Sequence, residues 1–109
     1  MQSRVQLNGI PIDMELDTAA KASTIDNATY KKYFSNIPLQ PTATLIWGSP
    51  LPMLGEMEVK VEYGGKIKLR TLSVVGKQFP SLYALPWIKA LGPNFESLFP
   101  DSSEVLKIG

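Results

Sequence analysis

Residues 10–20 have the sequence IPIDMELDTAA, in which a strand pattern runs directly into a turn. Apolar residues occupy every second position, and the alternating series is Ile10, Ile12, Met14 and Leu16 against Pro11, Asp13, Glu15 and Asp17. An alternation with a period of two predicts a half-buried β-strand. The pattern ends at Asp17, and the small residues Thr18-Ala19-Ala20 follow it. The sequence therefore places a single carboxyl group where a strand enters a turn.

The residue types that are missing restrict the chemistry. The chain contains no histidine and no cysteine, which excludes Ser-His and Cys-His nucleophiles, Cys/His zinc sites and disulfides. Carboxylate acid–base chemistry remains, as do a hard metal held by carboxylates and a lysine or serine that acts without histidine. Asp13, Glu15 and Asp17 share one face of a strand, which does not give the surrounding oxygen geometry that calcium needs. We expect neither a metal nor a cofactor.

Length and charge point to a small domain without a charged macromolecular partner. The chain has 109 residues, so we expect residues 1–109 to form a single domain. Its formal net charge is +1, which gives no field strong enough to attract nucleic acid or an anionic membrane surface. No apolar run reaches the roughly 20 residues of a membrane span. We therefore expect neither nucleic acid nor a membrane as a partner.

The remaining elements follow from local patterns. Strands are predicted near residues 4–8 and 10–17, joined by Asn8-Gly9, a dipeptide suited to a type I′ hairpin turn. The oxygens of residues 23–26 are interpreted as helix-capping groups, with a short helix after them. The later elements are a β-ribbon at 51–63 and 66–75 joined by Gly64-Gly65, a short helix at 86–92 and a final strand at 104–108.

This order of elements, together with Asp17-Thr18-Ala19-Ala20, resembles the retropepsin-like aspartic proteases of retroviruses and LTR retrotransposons, whose loop usually reads Asp-Thr/Ser-Gly-Ala. The supporting stretches are residues 7–11, residues 54–59 and Pro80-Ser81-Leu82 before Trp87-Ile88. The resemblance covers nearly the whole chain. It implies an all-β fold, namely a small closed β-barrel-like acid protease fold with one or two short helices, which is homodimeric.

The resemblance also implies an activity. Asp17 from each of two identical chains would meet across a two-fold axis, and the pair would activate a water molecule to cleave a peptide bond. Thr18 would hydrogen-bond across the dimer, and Ala19 would present its backbone N–H to the carboxyl groups. The expected protein is an aspartic endopeptidase that processes a polyprotein, encoded by a retroelement or by a host gene derived from one. Its expected location is the cytoplasm or a retroelement particle.

The chain departs from the family pattern at two places. Ala19 stands where the family has glycine, which adds a methyl group and costs roughly 1 kcal/mol or more if the backbone there has a positive φ. Ala84-Leu85-Pro86 lacks the arginine that often precedes the last helix, and Lys21 replaces its usual acidic partner. An alternative is therefore the same fold without activity, serving as a dimerisation or peptide-binding module. A small β-barrel adaptor unrelated to proteases is a third possibility.

Five residues are predicted to contact a substrate, and they are Glu15, Ala20, Trp47, Gly48 and Leu82. Trp47 and Gly48 would form the tip of a flap that closes over the substrate, although an ordinary core aromatic is an equal alternative for Trp47. Strand alternation places Glu15 on the same side as Asp17, where related proteases usually have an apolar residue. The alternative for Glu15 is that a twist or bulge turns it to solvent.

The Glu15 hypothesis predicts a change in cleavage preference. Its carboxylate would favour a basic or polar substrate side chain near the cleaved bond, since opposite charges attract in a partly desolvated site. We expect Glu15→Leu to move the preference towards apolar residues in a mixed peptide library sequenced by mass spectrometry. A cleavage profile that is the same in both proteins would show that Glu15 does not face the substrate.

Overall fold

The computed structural model describes residues 2–41 and 52–93. Its strands are β1 (Gln2–Leu7), β2 (Ile10–Asp17), β3 (Thr24–Asp26), β4 (Met53–Tyr63), β5 (Lys66–Val75) and β6 (Leu82–Ala84), and its helices are α1 (Asn27–Tyr33) and α2 (Leu85–Leu91). Within these ranges the strands close into a barrel in the order β1-β2-β6-β3-β5-β4. The predicted fold class, a closed β-barrel with short helices, is confirmed. The strand predicted at 104–108 lies outside the described residues.

The first hairpin forms as the sequence predicts. β1 and β2 pair antiparallel from Gln2 opposite Glu15 to Leu7 opposite Ile10, without a shift in register. Asn8 and Gly9 both have positive φ, at 52° and 81°, as a type I′ turn requires. The Asn8 side chain also accepts a hydrogen bond of 2.8 Å from the backbone N–H of Lys60. The turn is thereby tied to β4, which pairs with the end of β1.

The β-ribbon is formed by β4 and β5, joined at Gly64 and Gly65, whose φ values are 57° and 82°. Its register shifts once, between Met53 and Gly55. Gly55 has φ 148°, and a Cβ atom there would lie 2.6 Å from the carbonyl oxygen of Gln40. That close approach permits two hydrogen bonds between Gln40 and Glu56, so the glycine is required for this contact.

Parallel pairing closes the barrel around its short strands. β6 pairs parallel with β2 and antiparallel with β3, and β3 pairs parallel with β5. The sequence interpretation missed β3, because three residues carry too little periodicity to indicate a strand. Asp26 does cap α1, as expected, by accepting a hydrogen bond from the Thr29 N–H. Burial alone would raise the pKa of Asp26, but the hydrogen bonds it accepts outweigh burial and lower it.

The barrel interior is apolar, and helix α2 packs into it. The buried core residues are Val5, Leu7, Ile12, Met14, Ile25, Phe34, Met57, Val59, Val61, Leu72, Val74, Tyr83, Trp87, Ile88 and Leu91. The Tyr83 ring lies between those of Tyr63 and Trp87, with centroid distances of 5.4 and 5.6 Å. Its hydroxyl donates to the carbonyl of Gly92, the residue that ends α2. Burial raises the Tyr83 pKa, and Tyr63 acts in the same direction, so the phenol remains a neutral donor.

No helix in the described ranges has the length and apolar character needed to span a membrane.

Burial along β5 predicts how substitutions change stability. Leu72 is fully buried, whereas Leu69 on the same strand is 58% exposed. We expect Leu72→Ala to lower the free energy of unfolding by about 2–5 kcal/mol, because it removes buried apolar surface and leaves a cavity. Leu69→Ala is the matched control, with an expected change within about 0.5 kcal/mol. Urea denaturation measures both, and equal losses would contradict this assignment of the core.

Candidate active site

Asp17 is the last residue of β2, and the barrel closure determines its surroundings. In the parallel ladder with β6, Glu15, Leu16 and Asp17 lie opposite Leu82, Tyr83 and Ala84. The carboxyl group is therefore at the end of two adjacent parallel strands. Leu16 packs against the core, while Asp17 is half-buried at the barrel surface. Strand alternation thus anchors this segment through its apolar side chains and leaves the carboxyl group accessible.

The turn after Asp17 holds its carboxyl group from one side. Oδ1 accepts hydrogen bonds from the backbone N–H groups of Ala19, at 2.9 Å, and Ala20, at 3.2 Å. The Ala20 N–H also lies 3.3 Å from the Asp17 carbonyl oxygen. Oδ2 has no hydrogen bond to any residue in the described ranges. One oxygen is thus fixed by the backbone, and the other is available to a ligand, a water molecule or a second chain.

Ala19 fits this turn without backbone strain. Among the described residues other than glycine, only Asn8 has a positive φ, so Ala19 is outside the left-handed region that favours glycine. Its side chain is exposed, and its N–H makes the hydrogen bond to Asp17. The cost of alanine at this position is therefore steric alone, and it arises only when another molecule approaches the loop. The half-buried Thr18 has no side-chain hydrogen bond to the described part of the chain.

A buried serine hydrogen-bonds the strand residue that lies opposite Asp17. The Ser23 hydroxyl, in a residue only 2% exposed, accepts a 2.9 Å hydrogen bond from the N–H of Ala84, the residue opposite Asp17. The Ser23 carbonyl accepts a second hydrogen bond, of 3.0 Å, from the N–H of Ser73 on β5. The sequence interpretation treated Ser23 as a capping residue and missed this role. No local signal reveals it, because its partners are 61 and 50 residues away in the sequence.

The structure places three of the predicted substrate-contacting residues near Asp17. Glu15 is exposed on the same face of β2, and the ladders on both sides of it continue without a bulge. Ala20 and Leu82 are buried in a small cluster with Ala84 and Phe79. Trp47 and Gly48 lie outside the described residues. The contacts of these five residues with a substrate stay predictions.

A cavity of about 320 Å³ begins four residues after Asp17. Its lining residues are Lys21, Ala22, Ser23, Glu56, Arg70, Thr71, Ser73, Pro86 and Trp87. Lys21 and Pro86, both from the second departure from the family pattern, therefore line the same cavity. In the described ranges, no three acidic, histidine or cysteine side chains form a group able to hold a metal ion.

The Ser23 hydrogen bond predicts a loss of stability in Ser23→Ala. The Ala84 N–H would be left buried without its acceptor, which costs about 1–3 kcal/mol in the free energy of unfolding. Ser35→Ala, at an exposed position, is the control and is expected to change stability by less than about 0.5 kcal/mol. Guanidinium denaturation compares the two proteins. If both variants match the native chain, the hydrogen bond to Ala84 does not support the site.

Comparison with known proteins shows similarity at the level of structure. Neither a protein-family model nor a curated protein sequence matches the chain. Among solved structures, EIAV protease complexed with the inhibitor HBY-793 superposes with a TM-score of 0.68 and 16% identity, covering 87% of this chain and 90% of that protein. The retroviral protease-like domain of Ddi1 from Leishmania major gives a TM-score of 0.64 and 13% identity, with 83% and 75% covered. The chain has a retropepsin-like fold.

Proposed function

We propose that this protein is an aspartic endopeptidase of the retroelement type, active as a homodimer in which each chain contributes Asp17. The observation that carries the proposal is the hydrogen bonding of the Asp17 carboxyl group. Its Oδ1 is held by two backbone N–H groups, while its Oδ2 is free of the described residues. Retroviral proteases share the fold that presents this carboxyl group, and the proposed substrate is a peptide or polyprotein segment.

The proposed chemistry requires a second carboxyl group. In the described part of the chain, Asp17 is the only acidic residue in this loop, and one carboxyl cannot act as base and acid in the same step. Two carboxyl groups in contact do not ionise together easily, so they share one proton. The ionised member takes a proton from a water molecule, whose oxygen attacks the peptide carbonyl carbon. The protonated member donates to the carbonyl oxygen, which yields the tetrahedral intermediate.

Thr18 and Ala19 have supporting roles in the proposed dimer. The Thr18 hydroxyl, which lacks a partner in the described part of the chain, is in the residue next to the carboxyl group and is suited to hydrogen-bond the second loop. The Ala19 N–H orients Asp17, and this donor is the same in alanine as in glycine. We propose the cytoplasm or a retroelement particle as the location of this activity.

One observation favours a second candidate function, a dimerisation or peptide-binding module without catalysis. The Ala19 methyl group is exposed on the loop, on the surface that a second loop or a substrate would approach. If that methyl group keeps the two carboxyl groups apart, a peptide would still bind but no water would be activated. The two candidates differ in one measurable property, which is cleavage by a protein shown to be dimeric.

The proposal predicts that Asp17→Asn abolishes cleavage. Peptide-library hydrolysis at mildly acidic pH should fall by at least about 100-fold in kcat/KM, because the acid–base group is lost. Asp13→Asn is the matched control on the same strand. Its pair with Arg4 spans 2.9 Å between largely exposed side chains, and such pairs contribute little to stability. Asp13→Asn should therefore retain activity within about twofold of the native chain.

A mixing experiment tests the shared site. A fourfold excess of Asp17→Asn chains should reduce the activity of a constant amount of native protein to about one fifth, because most native chains would then pair with a variant chain. An excess of Asp13→Asn should not reduce it. Activity that is indifferent to added Asp17→Asn would contradict the shared site. Absence of cleavage by a dimeric native chain would favour the binding module.

A further inference from the structure

The cavity next to the Asp17 loop, here called the charged cavity, has no role in the chemistry described above. Its volume of about 320 Å³ is at the lower end of the range for small-ligand sites, roughly 300–1,000 Å³. Four parts of the fold form it: the segment after the Asp17 loop, β4, β5 and the start of α2. Distant parts of the chain therefore converge at this cavity.

The charged side chains that line this cavity do not form ion pairs with each other. Lys21 and Arg70 are cationic and Glu56 is anionic, and all three line the cavity. The salt bridge found in the described ranges joins Arg4 to Asp13, so none of the three forms an ion pair there. Arg70 uses one Nη1–H group to donate to the carbonyl of Leu69, which leaves its other guanidinium N–H groups available. The cavity thus offers two cationic groups that form no ion pair with the Glu56 carboxylate beside them.

Neutral groups complete the lining. Ser23 and Ser73 are buried, at 2% and 3% exposure, and Thr71 adds an exposed hydroxyl. The Trp87 side chain, also 2% exposed, forms an apolar wall. Hydroxyl groups donate to anionic oxygens, and an apolar wall suits the methylene groups of a side chain. This combination matches a short aliphatic chain that ends in an anionic oxygen group.

The cavity is also connected to the proposed catalytic loop. Lys21, Ala22 and Ser23 follow that loop directly in the chain. Ser23 hydrogen-bonds Ala84, which lies opposite Asp17 in the β2–β6 ladder. A peptide bound at Asp17 in an extended conformation advances about 3.3 Å per residue. Lys21 lies four residues after Asp17, so the residue that reaches the cavity would stand several positions from the cleaved bond.

We propose that the charged cavity is a specificity site for an acidic substrate side chain, glutamate or aspartate, at a position away from the cleaved bond; this inference rests on the proposed endopeptidase function. Lys21 and Arg70 bind the carboxylate, and Trp87 contacts its methylene groups. Glu56 sets a limit on the bound charge, because a dianionic phosphate group would be repelled by it more strongly than a carboxylate. The ligand is thus a carboxylate and not a phosphate.

Cleavage kinetics test the site. Amidated peptides that differ by Glu or Gln at each position around the cleaved bond are compared by kcat/KM with the native chain. At one position outside the two flanking residues, Glu should be favoured by about tenfold, the effect of a charge-assisted hydrogen bond. Arg70→Gln and Lys21→Gln should each reduce that preference to below about threefold. Lys66→Gln, the same charge change at the end of the ribbon, should leave it unchanged.

Two further arms examine the source and charge of the ligand. A Gln peptide with a free C-terminal carboxylate tests whether the cavity binds a chain terminus in place of an acidic side chain. Its kcat/KM should equal that of its amidated form. Glu56→Gln should improve cleavage of a phosphoserine peptide relative to the Glu peptide. A native chain with no preference for Glu, or a preference that both cavity variants retain, overturns the proposal.

A binding measurement separates failure of this site from failure of the proposed function. The indole N–H signal of Trp87, assigned by comparison with Trp47→Phe, is followed by NMR while Asp17→Asn protein is titrated with the amidated Glu and Gln peptides. The Glu peptide should bind with a Kd about tenfold lower, and Lys21→Gln should reduce that difference to below about threefold. Equal Kd values overturn the specificity site, whether or not the native chain cleaves peptides.

Discussion

The parallel pairing of β2 with β6 is the constraint on which the site depends. It places Asp17 opposite Ala84 at the end of two strands, and the buried Ser23 hydroxyl fixes Ala84 from the other side. Parallel neighbours cannot be joined by a tight turn, and here the chain passes through β3, α1, β4 and β5 before β6 returns beside β2. The position of one carboxyl group therefore requires almost the whole barrel to be folded.

The loop geometry explains how alanine replaces glycine next to the carboxyl group. The hydrogen bond to Asp17 comes from the Ala19 backbone N–H, which any residue except proline supplies. Ala19 does not have a positive φ, so the substitution costs no backbone strain. Its methyl group points out of the folded chain. The substitution therefore affects what approaches the loop, a substrate or a second chain, and not the folding of the loop itself.

Lys21 and Pro86, which both belong to the second departure from the retropepsin-like pattern, meet in the fold. Lys21 and the Pro86 segment are more than 60 residues apart in the sequence, yet both line the charged cavity. Cationic side chains from the loop and from β5 line that space.

The elements that depend on local physics can be predicted from the amino-acid sequence alone. Alternation marked β2 and the ribbon, Asn8-Gly9 and Gly64-Gly65 marked their turns through positive φ, and Pro86 with Gly92 bounded α2. The same local pattern located Asp17 at a strand end. Three features become visible only in the folded chain, and they are the strand β3, the Ser23 hydrogen bond to Ala84 and the convergence of Lys21, Glu56 and Arg70. Those features arise from contacts between segments that are distant in the sequence. The periodicity and turn residues of one segment do not specify which other segment it contacts.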